Sequence, residues 1–279
     1  MSAVVAVVLL AAVLHASWNA MLKGGRDRLV VMVLLDLTAM ALSLLLLPLA
    51  GPPAPASWGL LALSVSLHTT YKALLLQSYR VGDLNQVYPL ARGTGPLLVA
   101  GFAALVLGER LAPLQLAGLV GVGVGLALLL VTGRGLPRGR PMVGSALATG
   151  VAIAAYTVAD GLGVRRSGSD LGYVVWLFLA CGLPIPLYAL AVRGRGLAGG
   201  ARDQLGVGVA AGSLALLGYG LVLWAQSRAQ LAVVAALRET SVLVAALIGT
   251  LVFGERFGRR RVLAAACITA GIVLLELAR

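Results

Sequence analysis

The sequence predicts an all-α integral membrane protein of ten transmembrane helices, arranged as two inverted five-helix repeats. Three observations predict it. Hydrophobic residues make up 60% of the 279 and charged residues 11%, whereas a soluble domain carries roughly 25% charged residues. The apolar residues fall into stretches near the ~20 residues that a helix needs to cross a bilayer. The chain also repeats itself: Gly108-Glu109-Arg110 recurs as Gly254-Glu255-Arg256, an offset of 146 residues. At the same spacing Arg92 falls on Arg238, Gly125 on Gly271, Leu128 on Leu274 and Leu129 on Leu275. A duplicated module in a membrane chain is the usual frame of a carrier.

The spans are expected near 3–22, 29–48, 59–79, 86–107, 114–132, 142–163, 171–192, 205–226, 230–253 and 261–277. Breaks are marked by Gly51-Pro52-Pro53-Ala54-Pro55, by Gly133 to Pro141 and by Arg193 to Asp203. The central break divides the chain into a first repeat, 1–132, a linker, 133–141, and a second repeat, 142–279. Five is odd, so the second repeat enters the membrane from the opposite side. The front ends of the repeats agree as well. His15 and Asn19 fall on Tyr156 and Asp160, and Asp27 falls on Asp170.

Composition excludes other classes. The net charge of +12 does not mark a nucleic-acid partner, because the basic residues sit in short connectors rather than on one patch. Connectors after spans 1, 3, 5, 7 and 9 hold fourteen of them; the other connectors and the C-terminus hold five. By the positive-inside rule this places both termini outside. Cys181 and Cys267 lie in apolar runs and read as small buried hydrophobes, with no metal site or cofactor implied. The apolar run before Lys23 is read as a first span rather than a secretory signal, whose basic residues precede the run. Gly121 and Gly125, and Gly208 and Gly212, have the small-xxx-small spacing that lets helix backbones approach closely in lipid.

An ionisable side chain inside a membrane is costly and usually faces the bundle interior. On that ground His15, Trp18 and Asn19 on the first span, and His68, Tyr71 and Lys72 on the third, are candidate substrate-facing walls. Each set sits at i, i+3 and i+4, on one helix face. Arg92, one turn after Tyr88, and its mate Arg238, beside Glu239, are candidates for holding an anionic group. Tyr156 and Asp160 mirror the first-span pair, and Asp160 lies near the end of its span. Asp36, Tyr219, Trp224, Gln226 and Glu276 are weaker candidates. Glu109 and Glu255 stand just before helix starts, where a carboxylate suits the positive end of the helix dipole, and read as structural hinges.

His15-Ala-Ser-Trp18-Asn19, the two Gly-Glu-Arg turns, Tyr156-Thr-Val-Ala-Asp160 and the two-repeat layout resemble EamA-type transporters of the drug/metabolite transporter superfamily. The resemblance spans the chain. It implies alternating access around a central cavity in a bacterial inner (plasma) membrane, with both termini cytoplasmic, opposite to the charge count. It also implies a small-metabolite cargo, an amino acid or related polar or amphipathic compound, moved outward. Uptake of a small anion such as a phosphonate, or flipping of a lipid-linked substrate, are alternatives. The chain has no Walker phosphate loop, so proton coupling or exchange is the expected drive, with His15, Asp160 and Glu239 as proton sites. A membrane-embedded enzyme is disfavoured: there is no His-Glu-x-x-His, acidic metal box or Gly-x-Ser-x-Gly elbow. A monomer suffices, because both repeats are in one chain.

Overall fold

A computed structural model describes residues 2–81, 84–106, 108–109, 111–132, 140–194, 196–253 and 259–277; the side chains of 75–94 and of some helix-end residues lie outside that description. Among the described residues all regular structure is helical. The first five helices are α1 (Ser2–Gly24), α2 (Arg28–Leu46), α3 (Pro55–Val81), α4 (Leu84–Val106) and α5 (Pro113–Thr132), with a short 3-10 turn at Leu47–Leu49. The rest are α6 (Arg140–Arg166), α7 (Asp170–Cys181), α8 (Pro184–Arg193), α9 (Gly196–Gln226), α10 (Leu231–Arg238), α11 (Ser241–Phe253) and α12 (Arg259–Leu277). Among the described residues, five segments are long and apolar enough to cross a membrane: 3–24, 28–49, 147–166, 170–193 and 199–226.

Two apolar stretches expected to be single helices are broken. The run 171–192 divides at Gly182-Leu183, because Pro184 and Pro186 lack the N–H that would continue the ladder. The run 230–253 divides at Glu239-Thr240, where the backbone tightens: Glu239 N donates to Ala236 O (3.1 Å) and Thr240 N to Leu237 O (3.1 Å). Apolar periodicity continues through both breaks, which hides them from a hydropathy reading.

Large apolar side chains cover the outside of the bundle, and several charged ones lie within its mostly apolar core. Leu105 is 88% exposed and Leu251 82%, while Asp160 is 0% and Arg238 5%. Outward leucines and inward charges suit a hydrocarbon solvent, in which polar groups must be satisfied within the bundle.

Close backbone approach organises the packing. α5 lies on α12, and a Cβ at Gly118 would stand 2.6 Å from Gly271 O, while one at Gly125 would stand 2.8 Å from Ala264 O. α9 lies on α2, where a Cβ at Gly208 or Gly212 would strike Leu34 or Leu35 O. The expected small-xxx-small positions are therefore packing sites. α9 also packs on α1, and α6 on α3 and α4.

Both Asp27 and Asp170 sit at helix starts, as their shared position in the repeat suggests. Asp27 caps α2 by accepting from Leu29 N (3.0 Å) and Val30 N (3.3 Å), and pairs with Arg193. Asp170 lies in the first turn of α7, behind the Ser169 cap, and pairs with Arg228. Burial pushes the Asp27 carboxyl up, but the Arg193 bond and charge and the two backbone donors outweigh it and hold it below the usual carboxylate range. A lowered folded value means stabilisation that is full at neutral pH and lost as pH falls below about 4. Asp27→Asn is thus expected to lower the unfolding midpoint in detergent at pH 7. The gap to the parent should close on acidification below that point; a gap unchanged at pH 3 would contradict it.

Candidate functional site

A cavity of about 80 Å³ opens near the centre of the bundle. On a comparable measure one water needs on the order of 10–15 Å³, so the space suits several waters or a small solute. Its wall draws on both halves of the sequence. α1 gives His15 and Trp18, α2 gives Asp36, and α3 gives His68, Tyr71 and Lys72. α6 gives Tyr156, α7 gives Phe178 and Cys181, α9 gives Tyr219 and α10 gives Arg238.

The i, i+4 spacing of His68 and Lys72 on α3 sends two groups to different partners. Lys72 Nζ donates to Asp36 Oδ1 on α2 (2.5 Å). His68 Nε2 meets Asp160 Oδ2 on α6 (3.0 Å). Asp160 also accepts from Tyr173 Oη through Oδ1 (3.1 Å) and from Tyr219 Oη through Oδ2 (2.5 Å). Asp160 lies near a span's end in sequence, yet the structure buries it completely, because α6 runs on to Arg166 and α7 folds Tyr173 over it.

Aromatic rings frame these charges. The His68 ring stacks on Tyr156 at 4.1 Å between centroids and 23° between planes, and stands edge-on to Tyr219 at 5.3 Å. Arg238 Nη2 donates to Tyr156 Oη (3.0 Å), and its guanidinium lies 5.3 Å from the centre of Tyr219 and 5.7 Å from that of Tyr156. His15 meets Trp18 edge-to-face at 5.0 Å. Such a wall offers cations, a carboxylate and π faces within one small space, which suits a solute carrying both charge signs and an apolar part.

The cavity thus gathers His15, Trp18, His68, Lys72, Tyr156 and Arg238, with Asp160 just behind His68. Asn19 is not among its lining residues: its Nδ2 donates to His15 O of its own helix (2.8 Å). Glu239 is buried at the α10–α11 break and does not line the cavity either. Tyr88 and Arg92 belong to α4, but their side chains lie outside the described residues, as does Glu255. Asp36 and Tyr219, ranked weak from sequence, are central. Tyr173 was not singled out; its only sequence signal is a hydroxyl inside an apolar run.

Glu109 departs from its expected place. It does not cap α5, whose leading Ala112 N donates to Gln115 Oε1 (2.9 Å). Instead Glu109 Oε2 accepts from Leu231 N at the start of α10 (3.1 Å), and Oε1 accepts from Arg165 Nη1 (3.1 Å). Arg165 further donates to Gln226 O (2.9 Å) and Ala229 O (2.7 Å). The turn therefore ties the ends of α4, α6 and α9 to the helix that carries Arg238. A lost cap costs about 0.5–2 kcal/mol and a partly exposed ion pair about 0–1. Glu109→Ala is therefore expected to destabilise by about 1–2 kcal/mol, and Glu109→Gln by less, read from unfolding midpoints in detergent. Equal losses would assign the effect to charge rather than to the cap.

Comparison with known proteins agrees with this architecture. A protein of known crystal structure superposes with a TM-score of 0.78 over 99% of this chain and 97% of that one, at 16% identity, a likeness of fold. No curated protein matches the sequence. Residues 140–277 match the EamA-like transporter family. With its outward leucines and inward charges the chain is an integral multi-pass membrane protein, and its second half, 140–277, belongs to the EamA-like transporter family of the drug/metabolite transporter superfamily.

Proposed function

We propose that the chain is a secondary carrier that exports a small zwitterion of amino-acid type across a bacterial inner membrane by alternating access. In this reading ten spans form two inverted five-helix repeats, 1–132 and 142–279, joined by 133–141. The observation that carries the cargo is the Lys72–Asp36 pair on the cavity wall. Asp36 is 3% exposed, and its Oδ2 has no hydrogen-bond partner among the described residues. For a pair held so deep the desolvation cost can exceed what the attraction returns. An incoming ammonium would supply the partner that Asp36 Oδ2 lacks, and the cargo's carboxylate would meet Lys72 or Arg238. Asp36 and Asp160 together disfavour a bare anion as cargo.

The packing supports the inverted arrangement. α3 lies on α6 as α1 lies on α9; α4 lies on α6 as α10 and α11 lie on α1; α2 lies on α9 as α7 and α8 lie on α3. Each pairing is another with the halves exchanged. Gly125 and Gly271, 146 residues apart in sequence, both sit at the α5–α12 contact, as that exchange requires.

Liposomes containing the purified protein and loaded with the twenty unlabelled amino acids are expected to take up a labelled amino-acid mixture by counterflow. Arg238→Ala should reduce the rate about tenfold or more, since a hydrogen bond to a charged group contributes about 1.5–3 kcal/mol. Absence of counterflow with the parent protein would overturn the reading.

A further inference from the structure

We propose that Gln226 is a transit site for the zwitterionic cargo, a polar station between the central cavity and a second, larger basin at one end of the bundle; this rests on the carrier reading above. The basin measures about 500 Å³, and its wall includes Glu109, Gln115, Arg165, Ser227, Arg228 and Gln230. Like the central cavity it mixes cations, a carboxylate and neutral polar groups, and it suits a solute of both charge signs.

The two spaces are stacked along the same three helices. α6 carries Tyr156 in the cavity and Arg165 in the basin, α9 carries Tyr219 and Ser227, and α10 carries Arg238 and Val233. At about 1.5 Å per residue, these spacings set the two spaces about 8–14 Å apart along the helix axes. The layer between them is apolar and tightly closed: Val164, Val222, Leu223 and Val234 are all buried.

Gln226 stands in this layer. It lies about two turns past Tyr219, on the same face of α9. Its backbone carbonyl accepts from Arg165 Nε at the basin wall (2.9 Å), yet the residue is not among the described lining residues of either space. Its side chain is fully buried, and neither Nε2 nor Oε1 has a hydrogen-bond partner among the described residues. An amide left so weakens the closed layer, where a leucine would seal it. When the layer parts, the amide gains partners: its N–H groups suit the carboxylate of the cargo and its oxygen the ammonium. Parting is concerted at the basin, because Arg165 holds Glu109, Gln226 O and Ala229 O at once, and Glu109 holds the first N–H of α10.

The test compares the parent protein with Gln226→Leu and with Ser43→Ala. Ser43 is equally buried and its Oγ equally unpartnered among the described residues, but it lies on α2 and is not among the described lining residues of either space. In liposomes loaded with the twenty unlabelled amino acids, Gln226→Leu should slow counterflow of the labelled mixture about tenfold, and Ser43→Ala should keep the parent rate. Gln226→Leu should also keep the parent's half-saturating concentration in tryptophan fluorescence with the same mixture, and unfold in detergent at or above the parent's midpoint. A parent rate in Gln226→Leu overturns the proposal and leaves the carrier standing. A lowered unfolding midpoint would make Gln226 a structural tie and overturn it. A shifted half-saturation would assign Gln226 to the central site, and equal slowing by Ser43→Ala would assign the effect to buried polar groups in general; either overturns it. No counterflow in the parent removes the carrier reading, and the proposal with it.

Discussion

Lys72→Met is expected to destabilise the protein by about 3–5 kcal/mol, because it strands Asp36 as a buried, unpaired carboxylate. The two groups meet at 2.5 Å, and neither can turn to bulk water: their side chains are 17% and 4% exposed. Asp36→Asn in the same chain should recover most of that loss, since removing both charges of a buried pair is often close to neutral. Counterflow should stay abolished in the double variant, which separates the two roles of the pair. Unfolding in detergent reads the first effect and liposome counterflow the second. A single-variant loss under 1 kcal/mol would show that water already reaches the pair.

Gly271→Leu and Gly125→Leu are expected to be comparably severe. A Cβ at Gly271 would stand 2.6 Å from Gly118 O and 2.7 Å from Val122 N; at Gly125 it would stand 2.8 Å from Ala264 O and 2.9 Å from Ile268 N. Backbone atoms cannot rotate away as a side-chain tip can, so α5 and α12 must separate. Overpacking of a tight core typically costs about 1–3 kcal/mol, and a backbone collision between two helices belongs at or above the upper end. Gly123→Ala is the control. Its added methyl would approach nothing closer than Leu97, at 3.8 Å, and the change removes a helix-weakening glycine. Size-exclusion profiles and unfolding midpoints should therefore rank Gly271→Leu and Gly125→Leu far below Gly123→Ala. Equal behaviour would contradict close α5–α12 contact.

What was legible from sequence follows a physical line. Hydrophobic runs fix which segments are helical, and i, i+4 spacing fixes which side chains share a face. His15 with Trp18, and His68 with Lys72, were readable on those grounds. Asn19 shared the stripe, but a short amide can bond to the carbonyl four residues back. Partners across the bundle were less readable. Asp36 pairs with Lys72, and Asp160 with His68 and two tyrosines, through helix contacts that periodicity does not encode. The apolar run ends soon after Asp160, but the helix does not, and this depth is not encoded in the run's length. Glu109 stands just before α5 in sequence, but the helix start it serves is that of α10, more than a hundred residues away.

The claim that the central cavity is the cargo site is tested most directly by tryptophan fluorescence of the purified protein. Trp18 lines the cavity beside His15, whereas Trp224 lies against Arg228 and outside it. Titration with the amino-acid mixture should change the emission of the parent protein and of Trp224→Phe. The change should vanish in Trp18→Phe. A saturable change that survives in Trp18→Phe would place cargo elsewhere and contradict the assignment.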